Sequence, residues 1–103
     1  MNAQYWGKLS LAEQLGNIGS EFSRYVSFAK REESSLSAKS LEEVIALLDL
    51  TISDRRWLSA LKELARLREV IRDFFGETRQ YEIEAENLKD YFMPFAILAR
   101  NRH

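Results

Sequence analysis

The sequence predicts an all-α protein: an antiparallel, up-down-up-down four-helix bundle that forms one domain over residues 1–103. Along four stretches, apolar residues recur every three or four positions, which is the spacing of one face of an α-helix. The chain has only four glycines and one proline, which are too few for a turn-rich β protein. Hydrophobic residues make up 46% of the chain, so four amphipathic helices can bury their apolar stripes against one another.

The first predicted helix covers residues 10–31. Ser10 and Glu13 have the spacing of a capping box, in which each side chain accepts a hydrogen bond from the other residue's backbone N–H. Lys30 and Arg31 suit the negative C-terminal end of a helix. The stripe that predicts the buried face consists of Leu11, Leu15, Ile18, Phe22, Val26 and Ala29.

A polar, serine-rich loop is predicted over residues 32–37. It precedes a second predicted helix, which ends near Ile52. Ser40 and Glu43 form a second capping-box pattern, although the helix could begin as early as Leu36. Its core stripe is Leu41, Val44, Ile45, Leu48 and Ile52. Leu36, Leu47 and Leu50 fall on another side, so we expect this helix to contact two neighbours, or one neighbour and a second chain.

Asp54 is predicted to cap a third helix over residues 55–75, which Gly76 ends. A fourth helix is predicted from Tyr81 to about Arg102. Pro94 lies inside it and should kink it, because proline lacks the backbone donor that a helix interior needs. We favour a kink over two short helices broken near Met93, since the apolar stripe keeps its phase across the proline.

Two glycines inside the first helix predict close packing, because each costs a helix interior about 1 kcal/mol relative to alanine. Gly16, Gly19 and Ser23 lie on one shoulder of that helix, beside the apolar stripe. Small side chains there allow another backbone to approach, or a bulky aromatic ring to lie flat. The neighbour can be a helix of the same chain, which we favour, a partner chain, or a ligand.

Composition excludes several classes of function. With 15 basic and 16 acidic residues, the net charge is -1, which argues against a surface built wholly for nucleic acid or anionic membrane. The absence of cysteine excludes disulfides and thiolate chemistry. We expect no secretion signal and no membrane span, and hence a cytoplasmic protein.

No catalytic, metal-binding or cofactor-binding residue stands out, so we expect a protein that is not an enzyme and has no cofactor. The single histidine is His103, too isolated to serve in a triad or a histidine-containing metal site. An acidic set lacks the Glu-x-x-His spacing of helical di-metal sites and is better explained as a solvated helix face; it comprises Glu82, Glu84, Glu86 and Asp90.

We therefore expect function through contact, either as a homo-oligomer such as a dimer or on a protein partner. The predicted interface consists of Leu36, Leu47, Leu50, Met93 and Ile97. The alternative is a nucleic-acid- or nucleotide-associated helper, with Arg66, Arg68 and Arg72 as candidate phosphate contacts. That alternative is not favoured, because acidic residues interleave with these arginines at ion-pair spacing.

Four stretches together resemble a family of small, uncharacterised prokaryotic all-helical proteins. They are "YWGKLSLAEQLGNIGSE", "LDLTISDRRW", "LKELARLREVIRDFFGE" and "LKDYFMPFAILAR". They cover most of the chain, and residues 32–39 match least. The resemblance implies a compact helical protein and supplies no activity.

A looser, fold-level resemblance is to HEPN helical domains, which often pair with a small nucleotidyltransferase. Catalytic members would require an Arg at position 96, 97 or 98 ahead of His103, where this chain has Ala96, Ile97 and Leu98. The resemblance therefore implies at most a non-catalytic relative.

Overall fold

The computed structural model describes residues 3–75 together with Asn87, Leu88, Asp90 and Phe92. Within these residues the chain is all-α and contains no strand, which confirms the predicted class. The helices are α1 (Ala3–Trp6), α2 (Leu11–Lys30), α3 (Ser34–Ile52) and α4 (Leu61–Arg72). A 3-10 helix, Arg55–Ala60, joins α3 to α4, and a second one, Asp73–Phe75, follows α4.

The capping box at the start of α2 is confirmed. Ser10 Oγ accepts a hydrogen bond from the backbone N of Glu13 at 3.1 Å, and Glu13 Oε1 accepts one from the backbone N of Ser10 at 3.0 Å. At the other end, the backbone N–H groups of Glu32 and Glu33 donate to Ala29 O and Phe28 O. This is the Schellman motif, and Glu32 occupies its left-handed position with φ 58°.

The predicted capping box at Ser40 is wrong, because α3 already begins at Ser34. Ser40 lies inside the helix and is only 6% exposed, beside the buried Leu41. Serine is a mediocre helix former because its hydroxyl competes for backbone hydrogen bonds. Here tertiary packing of the helix face overrides that preference and extends the helix through the serine-rich stretch.

The predicted third helix begins where expected but has two parts. Asp54 is its N-cap, as predicted, and its Oδ1 accepts a hydrogen bond from the backbone N of Arg56 at 3.0 Å. The first turns form the 3-10 helix, in which Trp57 departs from helical dihedral angles (φ -109°, ψ 27°). Regular α-helix begins only at Leu61.

The core lies where α3 meets α1, α2 and α4. Phe22 of α2 is fully buried, and its ring centroid lies 5.8 Å from that of Phe74 and 6.0 Å from that of Phe92. Such tilted and edge-to-face contacts add to the free energy gained from burial alone. The other large side chains with almost no exposure include Trp6, Ile18, Leu48 and Ile71.

Two buried residues, Leu88 and Phe92, are helical and belong to the predicted fourth helix. The kink at Pro94 lies outside the described residues, as do the predicted stop at Gly76 and the terminal His103. No helix in the described part of the chain combines the length and the apolar character needed to cross a membrane.

Candidate interaction site beyond the end of α3

Trp6 anchors the short helix α1 to the end of α3. Its side chain is 1% exposed, and its Nε1 donates a hydrogen bond to Thr51 Oγ1 at 2.9 Å. The Thr51 hydroxyl in turn donates to the carbonyl of Leu47 at 3.2 Å, one turn back in α3. Both polar atoms of this buried contact therefore have partners, which avoids the cost of an unsatisfied buried group.

Gln14 extends this contact to the 3-10 helix. The residue is fully buried on α2; its Nε2 donates to the carbonyl of Trp6 at 2.9 Å, and its Oε1 accepts from Trp57 Nε1 at 3.0 Å. One amide side chain thus connects a residue before α2 with a residue after α3. No buried side-chain nitrogen or oxygen in the described residues lacks a hydrogen-bond partner.

Arg56 fixes the start of the 3-10 helix. Its Nε and Nη2 contact the Asp54 carboxylate, the shortest contact being 2.6 Å, and Nη2 also donates to Leu9 O at 2.9 Å. Its guanidinium lies 4.5 Å from the ring centroid of Trp57, a cation–π geometry. The Arg56 hydrogen bonds lower the pKa of Asp54 from 3.8 to about 2 and outweigh the opposing effect of burial.

This network holds an exposed apolar edge in place. Leu58, near the end of the 3-10 helix, and Leu61, the first residue of α4, are three residues apart, a spacing that places both side chains on one side of a helix. Leu58 is 67% exposed and Leu61 38%, and Arg55 is also exposed. We call Leu58 and Leu61 the Leu58 edge. Because the neighbouring Arg56 and Trp57 are tied into the network, the edge belongs to a fixed element.

A cleft of about 440 Å³ opens beside the Leu58 edge. One side consists of α1 and the turn after it, and the other of the end of α3 and the start of the 3-10 helix. The lining is apolar at Ala3, Trp6 and Leu50 and polar at Ser53, Asp54, Arg55 and Arg56, and the backbone of Gly7 completes it.

The structure separates the residues of the predicted interface. Leu47 lies in the core at 6% exposure, and Leu50 is half-buried against it, so the second apolar side of α3 is used within this chain. Leu36 is 46% exposed on the first turns of α3. Met93 and Ile97 lie outside the described residues.

The glycine shoulder of α2 faces another part of the same chain. Gly16 and Gly19 are buried, and Ser23 is half-buried. A Cβ added at Gly19 would lie 2.8 Å from Cγ of Phe92 and closer still to its Cβ, so only glycine fits beneath that ring. The bulky aromatic neighbour is thus Phe92.

The three arginines proposed as phosphate contacts have different surroundings. Arg68 Nε donates to Asp49 Oδ1 at 2.6 Å, and this hydrogen bond raises the pKa of Arg68. Arg66 and Arg72 are exposed on α4. Because Arg68 is paired with Asp49, it adds little positive charge to a phosphate-binding surface on α4.

Acidic residues do not form a metal site in the part of the chain that the structure describes, where no three histidine, aspartate or glutamate side chains come together. Asp90 is exposed. The predicted acidic neighbours Glu82, Glu84 and Glu86 lie outside the described residues.

The sequence interpretation missed the network of Trp6, Gln14, Thr51 and Arg56. A signal was present in two of these residues. Gln14 comes three residues after Leu11 and four before Ile18, so it is a polar residue at an apolar-stripe position. Thr51 comes four residues after Leu47 and three after Leu48, so it too is a polar residue on an apolar face. A polar side chain on a core face must be hydrogen-bonded, although the sequence does not show to what.

Comparison of the chain with protein-family models, with curated proteins and with solved structures gives no match.

Proposed function

We propose that this chain is a non-enzymatic helical-bundle protein that acts through self-association, with the Leu58 edge at the contact between two copies. The observation that carries the proposal is the exposure of Leu58, 67%, on a turn fixed by the hydrogen bond from Trp57 to Gln14. When a partner covers an apolar side chain, the association gains about 25 cal/mol for each Å² of apolar surface removed from water. Leu61, one step further along, enlarges the same patch.

Near-neutral charge supports a second copy as the occupant. The chain carries 15 basic and 16 acidic residues, so two copies approach with little net repulsion, and low net charge favours association. Lys62, Glu63 and Arg66 are exposed beside the Leu58 edge and give it a rim of mixed sign. Such a rim can pair with its own copy after rotation about a twofold axis.

Pre-organisation is the second support. The 3-10 helix is held by Trp57 on Gln14 and by Arg56 on Asp54 and Leu9, so little side-chain or backbone freedom is lost when the edge is covered. The apolar patch is small, and we therefore expect a weak, reversible dimer.

Sedimentation velocity from ~10 to ~500 µM tests the proposal, since this range brackets a weak dimer. We expect the wild-type sedimentation coefficient to rise with concentration and the Leu58→Ser protein to remain monomeric. Leu36→Ser is the matched control, because it removes an equally large exposed leucine at a different place in the fold. It should leave the dimer unchanged.

A wild-type protein that stays monomeric throughout this range contradicts self-association. If the dimer survives in Leu58→Ser but not in Leu36→Ser, the contact lies at the start of α3 and the Leu58 edge is the wrong surface. Circular dichroism on each variant establishes that it is folded before its assembly state is compared.

A nucleic-acid- or nucleotide-associated helper is the alternative. It draws on the exposed Arg66 and Arg72 with nearby cations such as Lys62, and Arg68 contributes less because Asp49 pairs with it. Binding to single-stranded RNA, measured by electrophoretic shift against salt, distinguishes the two. Binding that falls steeply with salt and is lost in Arg66→Gln favours the helper over the self-associating protein.

The finer details of the fold are part of the same proposal. We expect the up-down-up-down path and a kink at Pro94. The contact of Gln14, near the start of α2, with Trp57, just after α3, supports opposite directions for those two helices. Membership in the small prokaryotic family and a cytoplasmic location also remain proposals, which rest on the sequence patterns.

A further inference from the structure

We infer that the cleft between α1 and the 3-10 helix binds a small amphipathic carboxylate, with its apolar body against α1 and Leu50 and its carboxylate on Arg55. The cleft volume, about 440 Å³, is within the range of sites that hold small molecules. This site lies beside the Leu58 edge and does not depend on self-association.

The charges lining the cleft select an anion. Asp54 contributes one negative charge, and Arg55 and Arg56 contribute two positive charges, so the lining has a net charge of +1. The Asp54 carboxylate is already bound by Nε and Nη2 of Arg56. Arg55 is exposed and makes no ion pair with any described residue. An incoming carboxylate therefore meets an uncompensated guanidinium, which can bind both of its oxygens.

Arg56 can donate a further hydrogen bond to the bound carboxylate. Its Nε and Nη2 are occupied by Asp54 and Leu9, whereas Nη1 makes no hydrogen bond to the described residues. Its planar group is held over the Trp57 ring, so this remaining donor has a fixed position. A pre-oriented donor binds at a lower entropic cost than one on a free side chain.

The opposite wall is apolar and partly lacks side chains. Ala3 and Gly7 on this wall are exposed, and Leu50, on the same side of the cleft as Arg55, is half-buried. Gly7 has no positive φ, and a Cβ there would make only ordinary contacts, 3.4 Å from Ala3 O. Neither backbone conformation nor close packing requires glycine at this position. Its effect is to leave this wall without a side chain, which suits a ligand with a short aliphatic chain.

Titration with octanoate, followed by 1H–15N NMR, tests the site, and octan-1-ol and octylamine serve as neutral and cationic controls of equal length. We expect saturable shifts of the Gly7, Ser53 and Arg55 amides with octanoate up to about 10 mM, and binding about tenfold weaker with either control. Arg55→Gln should weaken octanoate binding about tenfold. Lys62→Gln removes an exposed cation outside the cleft and should change nothing.

Three results would each overturn the site. Shifts that do not saturate, or that spread evenly over the surface, show that octanoate has no defined place. Equal binding of octylamine shows that Arg55 does not select charge. Equal effects of Arg55→Gln and Lys62→Gln show attraction by overall charge only. Arg55 is exposed, so its variant should stay folded, which its unchanged amide spectrum away from the cleft would establish.

Discussion

The Trp6 indole N–H donates to the Thr51 hydroxyl at 2.9 Å inside the core, and this hydrogen bond joins residues 45 positions apart. Around it, Gln14 contacts both Trp6 and Trp57, and Arg56 reaches the carbonyl of Leu9. Polar contacts thus connect the segment before α2 with α3 and with the segment after it, and the contacts of Trp6 with Thr51 and Gln14 are buried. We therefore expect the free energy of unfolding to fall when a single hydrogen-bonding atom of these side chains is removed.

Thr51→Val should destabilise the protein by about 1–3 kcal/mol, because it leaves the Trp6 N–H buried without an acceptor. The substitution keeps the shape of the side chain and removes only the hydroxyl. Thr51→Ser is the matched control: it keeps the hydroxyl, loses one methyl group, and should cost about 1 kcal/mol. Urea unfolding of both variants provides the comparison. A smaller loss in Thr51→Val than in Thr51→Ser would contradict the importance of the hydrogen bond.

Gly19→Ala should destabilise the protein by about 2 kcal/mol, although alanine is the better helix former. The added methyl group would overlap Phe92 at its Cβ and Cγ, atoms that cannot swing away as a flexible chain end can. Gly7→Ala is the control, since its Cβ makes only ordinary contacts. Thermal unfolding should show a lower Tm for Gly19→Ala alone. A higher Tm for that variant would mean that Phe92 does not lie against Gly19.

Glu32→Gly should stabilise the protein by about 1 kcal/mol, because Glu32 has φ 58° at the end of α2, where glycine is strain-free. Glu32→Ala is the matched control: it removes the same side chain but keeps the Cβ that disfavours this conformation. Its free energy of unfolding should stay near that of the wild type. Equal stabilisation by both substitutions would show that the glutamate charge, and not the backbone, is unfavourable.

Acid should weaken the attachment of the 3-10 helix. The pKa of Asp54 is lowered from 3.8 to about 2, so its ion pair stabilises the folded state fully above pH 3.8. This stabilisation is lost as the pH falls from about 4 to about 2, because the unfolded chain then binds the proton more readily. Arg56 is 43% exposed at its side chain, so solvent screening keeps this contribution small.

Urea unfolding of wild type and Asp54→Asn at pH 7 and pH 3 measures this contribution. The difference in unfolding free energy between the two proteins should shrink at the lower pH, since at pH 3 the unfolded wild-type chain binds a proton at Asp54 more readily than the folded protein does, whereas the variant has no such group. A difference that stays constant with pH would show that the Asp54 charge does not stabilise the fold.

The local sequence pattern was sufficient to predict helix α2. Ser10 and Glu13 lie close together along the chain, so their capping box forms without help from the rest of the fold. The apolar stripe after them identified Leu15, Ile18, Phe22 and Val26, all of which are buried. Asp54 was likewise recognisable as a cap, because its acceptor serves an N–H two residues away.

Helix α1 and the 3-10 helix were less accessible to sequence reasoning. Four residues, Ala3–Trp6, are too few to show a helical period, and only the docking of Trp6 on Thr51 reveals their role. The spacing of Trp57, Ala60 and Leu61 fits a 3-10 helix and an α-helix almost equally over one turn. In the structure, the 3-10 helix is held by hydrogen bonds from Trp57 to Gln14 and from Arg56 to the carbonyl of Leu9.

What the sequence by itself determined is the helical class, the cap of α2 and the stripe that turns inward, because these depend on contacts within a few residues. Only the tertiary structure decided that Leu47 is buried while Leu58 is exposed, and that Gly19 lies under Phe92. It also brought Asp54, Arg55 and Gly7 around one cleft. The physical reason is that burial and charge pairing depend on which distant segments meet, and periodicity along one helix contains no information about its neighbour.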